Sequence, residues 1–84
     1  MSDKILKLKS FEVSLTSANN VYSNPIVRVL NPTGSPVVLT FQVAAGTPYA
    51  NCTIAASNDK IVVKAATDLL LGTGLLGVGV AYTD

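Results

Sequence analysis

Pro25-Ile26-Val27-Arg28-Val29-Leu30-Asn31-Pro32-Thr33-Gly34-Ser35-Pro36-Val37-Val38-Leu39-Thr40-Phe41-Gln42-Val43-Ala44 carries the strongest structural signal in the chain. Val27 and Val29 share one parity, and Ile26, Arg28 and Leu30 the other. The β-branched residues in both sets favour a pleated strand over a helix. Asn31-Pro32-Thr33-Gly34 then places asparagine first, proline second and glycine fourth, the preferences of a type I turn. Val37, Leu39, Phe41 and Val43 return on one face. A β-hairpin over 25–44 is therefore expected.

Alternation continues outward from this segment. Phe11, Val13 and Leu15 alternate with Glu12, Ser14 and Thr16 as a half-buried strand over 10–16. Leu6 and Leu8 hold the opposite parity, so a bulge or break is expected near Lys9 and Ser10. Asn19 and Asn20 interrupt the pattern. After Gly46-Thr47-Pro48, the run Cys52, Ile54, Ala56 leads to a tight turn at Ser57-Asn58-Asp59 and a strand over 60–65 whose Ile61 and Val63 are read as core-facing. Thr67 or Asp68 is placed to cap one helical turn through Leu69, Leu70 and Leu71, with Gly72 as its left-handed terminator. In a last strand over 75–83, Val78, Val80 and Tyr82 oppose Gly77, Gly79 and Ala81, whose bare face invites close packing.

Six to seven short strands at this spacing define an all-β fold, a small antiparallel β-sandwich or partly closed barrel. It forms a single domain over 1–84, with 1–10 as an N-terminal arm or edge strand. The lone cysteine and the absence of tryptophan leave any immunoglobulin likeness architectural, without a disulfide.

Composition narrows the function. A chain of 84 residues buries only about 60% of its unfolded surface. Apolar residues make up 49% of it and charged residues 13%, against about 25% charged in an ordinary soluble domain, so part of the surface is expected to meet protein. Cys52 is read as a small core residue. There is no histidine, and Asp3, Glu12, Asp59, Asp68 and Asp84 are scattered. No metal-ligand set, catalytic residue or cofactor site is therefore expected, and the chain is not read as an enzyme. Gly72-Thr73-Gly74-Leu75-Leu76-Gly77 spells the dinucleotide pattern GxGxxG, but only seven residues follow it, too few for the helix and strand that give the pattern its chemistry. These glycines are read as turn and close-packing residues.

A net charge of +1 argues against nucleic acid as a partner. The longest apolar stretch, 69–82, spans 14 residues with four glycines, short of the roughly 20 a membrane helix needs, so no membrane is expected. No charged n-region precedes an apolar h-region to mark secretion, and Asn51-Cys52-Thr53 matches a glycosylation acceptor by pattern alone.

The candidate assembly interface comprises Lys7, Lys9, Arg28, Leu69, Leu70, Leu71, Leu75 and Leu76. Lys4, Lys7 and Lys9 suit an arm for an acidic neighbour, or gatekeepers on an edge strand. Arg28 is the sole arginine and a candidate anchor, or an exposed residue of the solvent face. The leucines exceed what one turn needs to seal so small a core.

Two segments, Val27-Arg28-Val29-Leu30-Asn31-Pro32-Thr33-Gly34 and Asp59-Lys60-Ile61-Val62-Val63-Lys64 followed by Thr67-Asp68, resemble short β-rich virion proteins of tailed bacteriophages, particularly those infecting marine cyanobacteria. The likeness covers roughly 27–82. It implies a capsid decoration or cement protein on the virion surface, assembled in the host cytoplasm. Such a protein is a homo-oligomer whose partner is the major capsid or another virion shell protein. The rival is a small β-sandwich binding module of a tail, fibre or adhesin, glycan-binding in one form. It requires exposed aromatics, whereas Phe11 and Phe41 both fall at core parity.

Overall fold

The structure, a computed structural model, describes residues 5–83. Among the described residues eight strands form: β1 (Ile5–Leu8), β2 (Val13–Ser14), β3 (Ile26–Leu30), β4 (Val37–Gln42), β5 (Pro48–Ile54), β6 (Asp59–Val63), β7 (Leu69–Leu71) and β8 (Leu76–Thr83). The first sheet runs β1-β8-β3-β6, with β2 also paired to β8, and the second runs β5-β4-β7. All pairings are antiparallel. The all-β sandwich expected from the sequence is present, with eight strands in place of six or seven.

Between the sheets lie Leu15, Val27, Val29 and Leu75 from the first sheet and its flanks, Leu39, Ile54 and Leu70 from the second, and Val21 from the 19–24 loop, all fully buried. Val13, Val37, Phe41, Cys52 and Val62 pack around them. Cys52, read as core, is partly buried and packs against the core cluster from its edge.

The 25–44 segment is not a hairpin. β3 pairs with β8 and β6, and β4 with β5 and β7, so the strands lie in different sheets. Alternation cannot tell two strands side by side from two strands facing each other across a core, because both point one parity inward. The turn chemistry is real but builds a corner. Asn31 is fully buried, and its Nδ2 donates to the carbonyls of Ser35 (2.8 Å), Ile54 (3.0 Å) and Ala55 (3.3 Å). Its Oδ1 accepts from Thr33 N (3.0 Å) and Thr33 Oγ1 (2.6 Å). A second corner, with Ser57 at φ 57°, joins β5 to β6 and is zipped to the first by Asn31 N to Asn58 O (2.8 Å) and Ser57 N to Thr33 O (3.2 Å).

Other local expectations change for related reasons. Leu69–Leu71 is a strand, not a helical turn, because Thr40, Phe41 and Gln42 offer it a ladder. The left-handed glycine is Gly74, at φ +87°, in a turn closed by Leu75 N to Gly72 O (3.0 Å) with the glycine placement of type II. Val62, paired with Val27, takes the inward position expected of Ile61 and Val63, which point out. The 10–16 strand shrinks to β2. Leu8 pairs with Val80 and Val13 with Gly77, so Ser10, Phe11 and Glu12 stand opposite Val78 alone. Ser10 Oγ accepts from Gly79 N (3.0 Å), and Phe11, lifted off the sheet, is 81% exposed. The expected break near Lys9 and Ser10 is there, but Phe11 is not core. Finally, the bare glycine face is turned inward and filled. Gly77 pairs with Val29 and Gly79 with Val27, with Leu15 and Val27 against Gly77 and Asn24 against Gly79.

Candidate interaction surface

Register assigns the outer face of the first sheet. Residues opposite each other in antiparallel strands share a face. With Val27 and Val29 inward, one outer row holds Leu8 with Val80 and Ile26 with Val63; the next holds Val78, Arg28 and Ile61; the third holds Leu76, Leu30 and Asp59. Eight of these ten side chains are aliphatic. Val63 is 75% exposed and Leu8 68%, flanking a Val80 that is only 2% exposed yet lies outside the core cluster. An antiparallel sheet ordinarily turns polar residues to water on one side. The outer face of the second sheet is mixed, with Thr40, Gln42, Asn51 and Thr53 beside Val38, Leu69 and Leu71. The first sheet is apolar on both sides.

Arg28 belongs to this face but is not a free anchor. Its Nε donates to Asp59 Oδ2 at 2.6 Å, both side chains being partly exposed. A pair so placed contributes little to stability, and it leaves the patch electrically balanced. Leu76 shares the face. Leu69 and Leu71 lie half-buried on the outside of the second sheet, opposite Gln42 and Thr40. Leu70 and Leu75 are fully buried and leave the candidate interface. Lys7 and Lys9 are exposed along the edge formed by β1, where cations discourage strand pairing; Lys4 lies outside the described residues. The predicted set is thus dispersed, and sequence reading missed Leu8, Ile26, Ile61, Val63, Val78 and Val80. The available signal was that both parities of 26–30 are apolar.

A polar cluster marks one end of the second sheet. Tyr49 is an extra residue where Phe41 pairs with Ala50 and Gln42 with Pro48. Its ring leans on Phe41 at 6.2 Å and 53°, and its Oη donates to Asp68 Oδ2 at 2.7 Å. Lys64 is almost buried, and its Nζ donates to Ala66 O (2.9 Å) and Ala65 O (3.3 Å). Burial lowers its pKa, against the pull of Asp68 in the other direction. For Tyr49 the hydrogen bond to Asp68, then burial, then the carboxylate charge all raise the phenol above 10.0. Stability from this bond is therefore full below pH 10.0 and is lost as pH rises through the raised value. Ultraviolet titration of the wild type and Asp68→Asn should show one tyrosine whose midpoint moves down in the variant. An unchanged midpoint would mean that the bond does not form in solution.

The remaining unusual feature is the loop before β3. Val21, Tyr22 and Ser23 have φ of 54°, 55° and 57°, three successive left-handed residues without a glycine. Each such residue costs about 1–3 kcal/mol, and a β-branched one most. Asparagines hold the turn. Asn19 Oδ1 accepts from Val21 N (2.7 Å), Asn20 Oδ1 from Ser23 N (3.3 Å), and Asn24 Nδ2 donates to Val21 O (2.9 Å). Val21 is buried in the core while Tyr22, next along, is 61% exposed. Asn19 also exchanges backbone bonds with Leu70 of β7, so the loop hangs from the second sheet and borders Val13 of the first. Val13, Asn19, Asn20 and Tyr22 line an open cavity of about 270 Å³.

No protein-family model, curated protein or solved structure matches the chain.

Proposed function

We propose that the chain is a non-enzymatic structural protein of a phage particle, of the capsid decoration or cement kind, which joins its neighbours through the outer face of its first sheet. One observation carries the assembly role: the sheet that supplies half the core repeats an apolar surface on its other side, with Leu8, Ile61 and Val63 exposed around Val78 and Val80. The resemblance of the 27–34 and 59–68 segments supplies the virion setting. At about 25 cal/mol per Å², covering such a face favours association, and a contact of standard size takes about 800 Å² from each partner. Repeated over the copies on a shell, a modest contact becomes a collective brace. Partners are a shell protein and further copies of this chain, which the balanced Arg28–Asp59 pair does not repel.

The test is solution mass by light scattering across a concentration series, run on the wild type and on the Leu8→Glu/Val63→Glu double variant, followed by binding to phage heads that lack the protein. Wild type is expected to associate and to sediment with heads, while the variant stays folded and does neither. A wild type that remains monomeric and does not bind heads would overturn the proposal. The binding-module reading gains one specific support: Phe11, Tyr22 and Tyr49 are exposed, where the sequence placed Phe11 inside.

A further inference from the structure

We propose that the cavity between Val13 and the left-handed turn is a binding site for one neutral sugar ring. The inference goes beyond the assembly role and does not depend on it, because the cavity and the outer apolar face share no residue.

The turn is the first argument. A loop that only had to connect β2 to β3 would place glycine in the left-handed positions at no steric cost. This chain uses valine, tyrosine and serine there, and commits Asn19, Asn20 and Asn24 to hold them. Burying Val21 fixes the turn to the core, and the left-handed step then directs Tyr22 outward at the cavity mouth. Strain retained in this way fixes the backbone that carries an exposed aromatic ring before any ligand arrives, which removes part of the ordering cost from binding.

The lining is the second argument. None of Val13, Asn19, Asn20 and Tyr22 is charged, so no phosphate or carboxylate is favoured. Asn20 spends both ends of its amide on Ser23. Asn19 Nδ2 and Tyr22 Oη bond to no described residue and are left for a ligand. Val13, an exposed tyrosine beside it and free amide and phenol groups suit a pyranose, whose C–H face can lie on the ring while its hydroxyls meet the polar groups. At about 270 Å³ the cavity falls below the range of drug-sized sites, which suits one ring and not an extended nucleotide.

Isotope-labelled full-length protein would be titrated with D-glucose, D-galactose, D-mannose, L-rhamnose and N-acetylglucosamine and followed by NMR. At least one sugar is expected to give saturable shifts at the Val13 methyls, the Asn19 side-chain amide and the Tyr22 ring. Tyr22→Ala should weaken that binding about tenfold or more. Tyr22→Phe, which keeps the stacking face, should retain most of it, and Tyr49→Ala all of it. Absence of saturable shifts with every sugar would overturn the proposal. Undiminished binding in a folded Tyr22→Ala, or shifts centred on Tyr49, would do the same.

Discussion

Asn31→Ala is expected to lower the unfolding free energy by about 3–5 kcal/mol, the size reached when several buried polar groups lose their partners together. Among the described residues, the Asn31 amide is the one side chain that ties both sheet-to-sheet corners, holding the carbonyls of Ser35, Ile54 and Ala55 while accepting from Thr33. Alanine takes the amide donor from the Ile54 and Ala55 carbonyls, leaves Ser35 O to the Thr33 hydroxyl (2.8 Å), and opens a gap at a position with no exposure. Asn31→Asp should be no milder, since it sets carboxylate oxygen against the carbonyl oxygens that Nδ2 now meets. At the general scale of about 0.05–0.15 kcal/mol per residue, a chain of this size has about 4–13 kcal/mol in total. At the low end of that range much of the variant population would be unfolded at physiological temperature. Urea unfolding followed by circular dichroism measures this. A loss below about 1 kcal/mol would mean that the corner is held by the backbone bonds between 31–33 and 57–58 and not by the amide.

The same residue shows how far the sequence could be read. Asn31-Pro32-Thr33-Gly34 is legible as a turn because its preferences are local. Whether the strands on either side pair or face one another depends on which strands claim the edges of β3, and the claimants, β6 and β8, lie some 30 to 50 residues downstream. Nothing in 25–44 encodes them. The candidate surface was hidden for a similar reason. Val63 and Ile61 read as core because they alternate correctly, and only the pairing of Val27 with Val62 fixes the other parity inward. Phe11 is lost to a bulge of three residues against one, and bulges leave period-two counting intact on either side of themselves. The left-handed turn had no residue signal beyond its asparagines, since valine and tyrosine argue against that conformation. Composition did carry one structural expectation into three dimensions: few charges and many aliphatics imply exposed apolar side chains, and Leu8, Ile61 and Val63 expose them on the outer face of the first sheet.

Gly79→Ala is expected to destabilise by about 2–4 kcal/mol, combining overpacking of about 1–3 kcal/mol with one hydrogen bond lost. A Cβ at this position would overlap Asn24 Nδ2 and Cγ and come within 2.8 Å of Asn24 Cβ, so rotating the asparagine side chain does not clear it. Asn24 must move, and its bond to Val21 O (2.9 Å) goes with it, leaving the left-handed turn to the Asn19 and Asn20 side chains and the backbone bond from Asn24 N (3.2 Å). The diagnostic experiment is a double-mutant cycle with Asn24→Gly, which loses the same hydrogen bond and also makes room. If contact with Asn24 is the cause, the double variant should be more stable than the sum of the two singles allows, by about 1–2 kcal/mol. Additive losses would instead place the strain in β8 itself, where Gly79 pairs with Val27 and accepts the backbone bond from Lys9 N (2.7 Å). Because Asn24 is one of the three asparagines that hold the turn carrying Tyr22, the cycle also separates the two roles of the loop. Asn24→Gly should loosen the mouth of the cavity, seen as a lower order parameter at the Tyr22 backbone amide, while the outer face and any association through it persist.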